Sequence, residues 1–145
     1  MNILKILFFT MTLFSTLLAS SQDLSKHKWE NRLILLITND ENNTTFQSQI
    51  SEFKKDRDGL EERKLIIYQV TPETYKTGLN GGAPQKSSQL YNKYKKGSAV
   101  FEVILLGLDG GIKLRQNELL TKEKLYGIID AMPMRRREME RNKQP

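Results

Sequence analysis

The stretch RLILLIT at residues 32–38 decides the fold prediction. Its apolar residues, several of them β-branched, follow one another without polar alternation, which is typical of a strand covered on both faces. The stretch KLIIYQV at residues 64–70 has the same character. The sequence therefore predicts two central strands.

The segment between these strands carries a helical pattern. Its apolar residues recur at intervals of four, three and seven in an otherwise polar stretch, and they are Phe46, Ile50, Phe53 and Leu60. Such spacing places them along one stripe of a helix. A helix that connects two buried strands predicts a βαβ unit with parallel strands and a right-handed crossover.

The next segment, residues 71–87, is rich in turn residues. It contains Pro72, Pro84 and three glycines and has little apolar content, which predicts a surface loop that either connects elements or binds a ligand. A short helix is then predicted through Leu90 and Tyr94, beginning at Ser87 or Ser88.

The last third of the sequence predicts a hairpin and a closing helix. Phe101–Leu106 is a third apolar run, and Asp109-Gly110 separates it from an alternating stretch at residues 112–115, typical of an edge strand. A helical stripe follows at Leu125, Ile128, Ile129 and Met132, with Thr121 as its cap and Pro133 as its end.

This order, β-α-β-α-β-β-α, predicts an α/β domain with a thioredoxin-like fold, in which helices flank a four-stranded mixed sheet. The first two strands are expected to be parallel, and the last two to form an antiparallel hairpin before the closing helix.

Two stretches also carry a family resemblance. DGGIKLR at residues 109–115 and IDAMPMRRRE at residues 129–138 resemble the closing signature of a bacterial secreted family labelled as a domain of unknown function. The chain is also similar to the repeated domains of animal extracellular-matrix proteins of the sushi-repeat type, and the likeness takes in residues 29–36.

The resemblance implies a thioredoxin-like fold without an agreed activity. Active relatives of that fold carry cysteines after the first central strand and a cis-proline before the third. Here residues 39–43 contain no cysteine and residues 97–100 contain no proline.

The N-terminus predicts a cleaved secretory signal at residues 1–21. One basic residue, Lys5, precedes a mostly apolar run of about 13 residues and the small residues Ala19-Ser20-Ser21. An uncleaved anchor is the alternative. The expected location is secreted or periplasmic, with a polar lead-in at residues 22–31, a domain at 32–134 and a basic tail at 135–145.

Composition excludes several kinds of chemistry. The 145 residues hold no cysteine and one histidine, with 23 basic and 17 acidic side chains and a net charge of +6. Thiol redox catalysis, thiolate zinc sites and iron–sulfur clusters therefore have no ligands. We expect no metal, no cofactor and no complete catalytic motif.

A candidate ligand loop follows the first central strand, because ligands of open α/β sheets bind beyond the carboxyl ends of the strands. Its residues are Asn39, Asp40, Glu41 and Asn42. The alternative interpretation is a solvated turn that caps the next helix.

A candidate anion-binding cluster lies near the C-terminus. It consists of Arg135, Arg136, Arg137 and Arg141. Such a cluster suits an acidic glycan, lipopolysaccharide or phospholipid. The alternative is a solvated helix whose arginines pair with nearby glutamates.

The lead-in contains two aromatic residues, His27 and Trp29. Trp29 is expected to anchor the lead-in onto the domain, and a ligand platform is the alternative. His27 is expected to have no catalytic role, because the sequence contains no nucleophile elbow.

The sequence as a whole predicts a secreted, non-catalytic thioredoxin-like binding module of unknown specificity. Its expected partner is a protein or an anionic envelope or matrix component, and nucleic acid is not expected. One alternative is a peroxiredoxin-like or oxidoreductase-like enzyme, by fold analogy alone. Another is a hydrolase that uses Asp40, Glu41 or Asp130.

Overall fold

The structure is a computed structural model and describes residues 24–144. Within that range the chain is a mixed α/β domain. Its strands are β1 (Arg32–Thr38), β2 (Leu65–Val70), β3 (Thr74–Thr77), β4 (Gln85–Lys86), β5 (Phe101–Leu106) and β6 (Ile112–Gln116). Its helices are α1 (Thr44–Lys54), α2 (Arg57–Glu62), α3 (Gln89–Tyr94), α4 (Lys122–Asp130) and α5 (Pro133–Arg141), preceded by a 3-10 turn at Leu24–His27.

The six strands form one mixed sheet in the order β4-β3-β2-β1-β5-β6. Strands β1 and β2 are parallel, with Leu33 opposite Ile66, and the other neighbours are antiparallel. The predicted parallel pair and the hairpin of β5 and β6 are therefore confirmed.

The prediction of four strands is wrong, because residues 71–87 contain β3 and β4. Tyr75 in β3 lies opposite Val70 and is buried, so this short strand extends the sheet beyond β2. The prolines and glycines of the segment lie around these strands and obscured a strand signal of only four residues.

The crossover between β1 and β2 contains two helices instead of one. Helix α1 ends at Lys54, and Asp56 then begins α2 by accepting a hydrogen bond from the backbone N–H of Gly59 at 3.0 Å. Both helices cover the same face of the sheet, as the predicted stripe requires: Phe46, Phe53 and Leu60 all belong to the same core cluster.

The core consists of two clusters, one on each face of the sheet. Ile34 and Leu36 of β1 face the helices α1, α2 and α4, whereas Leu33, Leu35 and Ile37 face the opposite side. A strand with both faces covered has no polar face, which explains its uninterrupted apolar sequence. We expect Leu36→Ala to cost about 2–5 kcal/mol of stability.

Both segments flanking the predicted domain belong to its packing. Leu24 in the lead-in is buried in the second core cluster, and residues 135–141 are part of α5, whose Arg135 and Glu138 are buried. Helix α4 ends at Asp130, so Met132 of the predicted stripe lies beyond it, and Pro133 begins α5. Residues 1–21, where the secretory signal is predicted, lie outside the described residues.

Between residues 24 and 144, no helix combines the length and the apolar character needed to cross a membrane.

Candidate functional site

The predicted ligand loop, Asn39–Asn42, connects β1 to α1. The Asp40 carboxylate accepts a hydrogen bond from the backbone N–H of Asn42 at 2.9 Å, and the Thr38 hydroxyl donates to the Asp40 carbonyl at 2.9 Å. The next residue, Asn43, caps α1 with its side-chain oxygen. Much of the polar capacity of this loop therefore turns the chain and begins the helix.

One side of this loop also borders a polar cleft of about 410 Å³ between α1, β2 and β3. Glu41 lies on the cleft and pairs with Lys76 at 2.7 Å. Gln69 lines the same cleft, and its amide donates to the carbonyl of Gly78 at 2.7 Å. The predicted ligand loop therefore borders a cleft, and its binding of a ligand there stays a prediction.

Among the predicted anion-binding arginines, Arg135 stands apart because its side chain is only 1% exposed. Its Nε donates to Asp130 at 3.1 Å, and its terminal nitrogens donate to the carbonyl and the carboxylate of Glu62. Arg135 therefore lies inside the domain, in contrast to the prediction that places it in an exposed cluster. Its carboxylate partners already occupy the donors that an external anion would need.

These contacts belong to a larger buried ion network. Arg32, which is fully buried at the start of β1, contacts Glu138 at 3.2 Å, and Lys64 approaches the same carboxylate at 3.8 Å. Arg63 pairs with Asp130 at 2.7 Å. The members of this buried ion network are Arg32, Glu62, Arg63, Lys64, Asp130, Arg135 and Glu138. Its buried centre consists of Arg32, Arg135 and Glu138, whereas the side chains of Glu62 and Lys64 at its edge are 59% and 49% exposed.

The network joins α5 to the amino end of β1 and to the turn before β2. Burial raises the pKa of Asp130, but hydrogen bonds from Arg63 and Arg135 lower it more, and the net shift is downward. Truncating one partner of a buried ion pair typically costs 3–5 kcal/mol, because the other charge stays buried without compensation. The network therefore holds α5 in place as long as its charges remain matched.

The other predicted arginines, Arg136, Arg137 and Arg141, are exposed on α5. Arg137 and Arg141 lie four residues apart and line a surface depression of about 450 Å³ together with Met134 and Glu140. These three side chains are exposed, and their binding of an anionic partner stays a prediction.

The two predicted sites lie at opposite ends of β1. The ligand loop follows Thr38, whereas α5 packs beside Arg32 at the start of the strand. A seven-residue strand is about 20 Å long. The structure therefore does not bring the loop and the arginines into one site.

Trp29 is exposed over 65% of its surface, so the prediction that it anchors the lead-in is wrong. Leu24 and His27 make that attachment instead: Leu24 is buried, and His27 Nε2 lies 2.8 Å from the hydroxyl oxygen of Tyr68. The backbone N–H of Trp29 donates to the Leu108 carbonyl at 2.7 Å. Its position is fixed while its indole faces solvent, which favours the alternative of a ligand platform.

The indole of Trp29 borders a groove between the β5–β6 turn and the start of α5. The groove has a volume of about 450 Å³ and is lined by Trp29, Arg32, Gly107, Leu108, Asp109, Lys113, Met132, Pro133 and Met134. Most of this lining is apolar, and Met134 is 40% exposed. We call it the Trp29 groove.

One ion pair marks the rim of the Trp29 groove. Lys113 donates a hydrogen bond to Asp109 at 2.8 Å. This bond is the main reason why the pKa of Asp109 is lowered, and a second hydrogen bond from the Gly111 backbone acts in the same direction. The groove thus combines apolar walls with charged groups at its edge, which is how many ligand sites fix orientation.

Comparison with known protein families gives a match over most of the chain. The family described as Domain of unknown function (DUF4174) matches residues 23–138. The chain belongs to the DUF4174 family. The resemblance to a domain-of-unknown-function family is therefore confirmed, and no curated protein matches the chain.

The matched range of the DUF4174 domain contains every residue of the Trp29 groove and of the buried ion network. It ends at Glu138, the carboxylate that holds Arg32. Arg141 lies beyond it. The closing stretch IDAMPMRRRE therefore supplies three members of the network, Asp130, Arg135 and Glu138, along with the methionines of the groove.

Other titratable groups of this DUF4174 domain are paired inside the structure. Glu102 is 1% exposed and accepts hydrogen bonds from Lys95 at 3.1 Å and from Arg115. Burial raises the pKa of Tyr126 to about 12, and the carboxylate of Asp56 adds to that shift. Among residues 24–144, His, Asp and Glu side chains do not gather into a group that could hold a metal ion.

Sequence reasoning missed two parts of the site. Arg32 begins a strand buried on both faces, and that position signals a need for an internal carboxylate, which Glu138 supplies. The groove itself carried a weaker signal, the two methionines on either side of Pro133. Neither signal could locate a groove, because its walls come from three distant segments.

Proposed function

We propose that this DUF4174 domain is a secreted, non-catalytic binding module that contacts its partner through the Trp29 groove. The observation that carries the proposal is the exposed indole of Trp29. Its backbone φ is 66°, in the left-handed region that non-glycine residues rarely adopt, at a cost of about 1–3 kcal/mol. A large apolar side chain held outward at such a cost supports a binding role.

The composition of the surface supports a protein partner. Tryptophan and arginine are the residues most enriched among binding hot spots. Here Met134 lines both the groove that Trp29 borders and the depression that Arg137 and Arg141 border. Methionine side chains adapt their shape to a partner.

The charge of the surface indicates what the partner presents. Arg136, Arg137 and Arg141 face solvent, and the whole chain carries a net charge of +6. A segment with an apolar residue for the groove and carboxylates for the arginines fits both features. An acidic glycan or lipid would contact the arginines alone. The test must therefore distinguish such a ligand from a protein partner that occupies the groove.

We also propose a thioredoxin-like fold and a secreted location. The four strands β2-β1-β5-β6 combine one parallel pair with an antiparallel hairpin, and this arrangement supports the fold. The signal predicted at residues 1–21 and the resemblance to sushi-repeat-type extracellular proteins and a bacterial secreted family support secretion.

The proposal can be tested by site-specific photocross-linking in the native host. A benzoylphenylalanine at Met134 reports on contacts at the Trp29 groove, and the same residue at exposed Lys86 in β4, at the opposite edge of the sheet, is the control. We expect a discrete protein adduct from position 134 that persists when irradiation is done at high salt. Position 86 should give little or none.

Two outcomes would contradict the proposal. Equal labelling from positions 134 and 86 would show that the groove has no specific partner. Adducts that contain only glycan or lipid and vanish at high salt would move the function to the arginines of α5.

A further inference from the structure

Arg32 contributes a buried hydrogen-bond donor that lacks a partner. Its terminal nitrogens donate to Glu138 and to the carbonyl of Arg63, whereas its Nε has no hydrogen-bond partner within the described part of the chain. A buried donor left unpaired destabilises the structure. Because Arg32 is part of the lining of the Trp29 groove, an acceptor atom that enters the groove can complete its bonding once the side chain that covers Nε shifts.

The start of α5 supplies further donors to the same groove. This helix is nine residues long, and no side chain caps it, since its N-cap residue is Met132. Pro133 has no N–H, so the donors of the first turn are the backbone N–H groups of Met134 and Arg135. The amino end of a helix attracts negative charge, and Met132, Pro133 and Met134 all line the groove.

The local charge also favours an anion. The buried ion network contains four cations and three carboxylates, which leaves one positive charge without a matching carboxylate. At the rim, Lys113 is held by Asp109, and the two charges cancel. The charged side chains that line the groove itself are two cations, Arg32 and Lys113, and one carboxylate, Asp109.

From these observations we propose that the Trp29 groove binds the carboxyl terminus of a peptide whose last side chain is apolar. This inference rests on the proposed function and specifies its ligand. The terminal carboxylate accepts hydrogen bonds from the start of α5 and from Arg32 Nε. The apolar side chain lies between Trp29, Leu108 and Met134.

A terminal residue suits this groove better than an internal acidic one. At a chain terminus the carboxylate and the apolar side chain are attached to the same carbon atom, so both reach a small pocket together. The groove volume of about 450 Å³ is sufficient for one or two such residues. In an internal Asp or Glu the charge lies at the tip of the side chain, where the apolar walls would meet only methylene groups.

Reaching Arg32 Nε requires a small movement of the lining. The Nε atom is buried, so a side chain at the mouth of the groove has to shift. Met132 and Met134 are suited to this, since methionine is unbranched and changes rotamer readily. The start of α5 lies at the surface, where Met134 is 40% exposed.

The intrinsic fluorescence of the full chain provides the test, because Trp29 is its only tryptophan. The probes are acetyl-Gly-Gly-Leu with a free carboxylate and the same peptide with a terminal amide. We expect the acid to change the emission of Trp29 saturably. The amide should bind at least about tenfold more weakly, because hydrogen bonds to a charged carboxylate are stronger than those to a neutral amide. Octanoate is the third probe and should also bind more weakly than the peptide acid.

Variants at Met134 separate charge from shape. Met134→Glu places a carboxylate in the first turn of α5, where it stabilises the helix and competes with the carboxylate of the ligand. The affinity for the peptide acid should therefore fall about tenfold. Met134→Gln is its neutral counterpart and should weaken binding less. Lys86→Gln changes the net charge by the same amount as Met134→Glu, far from the groove, and should leave binding unchanged.

The proposal of a carboxylate pocket would be overturned if the peptide acid and the amide bound equally. It would also be overturned if Met134→Glu left the affinity for the peptide acid unchanged. Tighter binding of octanoate than of the peptide would reassign the ligand to a free fatty acid and likewise overturn it. These three results are independent of the cross-linking at position 134. A partner that cross-links there while the peptides fail to bind would retain the proposed function and remove only this inference.

Discussion

Arg135 and Arg136 are neighbours in the sequence and have opposite environments. Arg135 is buried against Asp130 and Glu62, whereas Arg136 faces solvent. We expect Arg135→Met to lower the free energy of unfolding by about 1–3 kcal/mol, because Asp130 and the buried Glu138 each lose one cationic partner while they keep another. Urea unfolding measures the change. The matched variant Arg136→Met should stay within about 0.5 kcal/mol of the unmodified chain, and equal effects would contradict the buried network.

The pKa of Asp130 makes the network sensitive to acid. Because this pKa is lower in the folded state than the usual 3.8, the carboxylate adds stability above its unfolded pKa and loses that contribution as the pH falls through the folded value. We expect Asp130→Asn to be less stable than the unmodified chain at pH 7 and to lose less stability in acid. Urea midpoints between pH 7 and pH 2 test this, with exposed Glu118→Gln as the control. Parallel pH curves for Asp130→Asn and the unmodified chain would contradict it.

The backbone of Trp29 leads to a third expectation at the residue scale. Its φ of 66° suits glycine, which adopts positive values without a steric penalty. Trp29→Gly should therefore keep or slightly raise the urea midpoint while it abolishes binding at the groove. A loss of more than about 1 kcal/mol would indicate that the indole packs on the domain and is not held for a ligand.

Single residues also show why the candidate site was only partly predictable. The sequence identified the exposed arginines and named Trp29, but it assigned Trp29 to packing and Arg135 to the surface. Both errors have the same cause: whether a side chain faces solvent depends on segments distant in sequence. For Arg135 the distant partner is Glu62, and for Trp29 the surroundings come from residues 107–109 and 132–134.

At the scale of elements, α5 is the part whose role changed most. The sequence predicts a basic tail after residue 134, whereas the structure has a helix that begins at Pro133 and carries two buried charges. We expect truncation after Met132 to abolish cooperative unfolding, because Arg32 then lacks Glu138. Removal of residues 142–145 alone should leave the transition unchanged. Circular dichroism during urea titration tests both, and a stable chain ending at Met132 would contradict the role of α5.

Other elements were predictable to different degrees for physical reasons. Strands β1 and β2 have long apolar runs, and the hairpin of β5 and β6 has an Asp-Gly turn, so local sequence was enough. Strands β3 and β4 have four and two residues. They exist because β2 offers a free edge and Tyr75 adds to the core, and neither fact is local.

At the scale of the whole molecule, secretion is the proposal that depends on residues 1–21. Cleavage after Ser21 would leave a chain that begins at Gln22 with a net charge of about +5, since Lys5 is lost. Mass spectrometry of the protein recovered from its native host tests this, and we expect Gln22 at the amino terminus. Recovery of the chain with Met1 and the apolar run intact, in the membrane fraction, would favour the uncleaved anchor instead.

The molecule divides its charges between two tasks. Arg32, Arg63 and Arg135 hold the domain together from inside, and the exposed arginines of α5 extend the surface beside the Trp29 groove. Replacing Arg136, Arg137 and Arg141 each by Gln in one variant should therefore weaken the binding of an anionic partner without unfolding the chain. This variant avoids Arg135, whose loss would confuse binding with stability.

The most direct test of the central claim is the yield of the cross-linked adduct at position 134 when Trp29 is replaced by alanine. The account predicts that the adduct obtained in the native host falls to the background given by position 86, while the urea midpoint of the Trp29→Ala chain stays close to that of the unmodified one. An adduct of unchanged yield and mass would contradict the claim that Trp29 and its groove hold the partner.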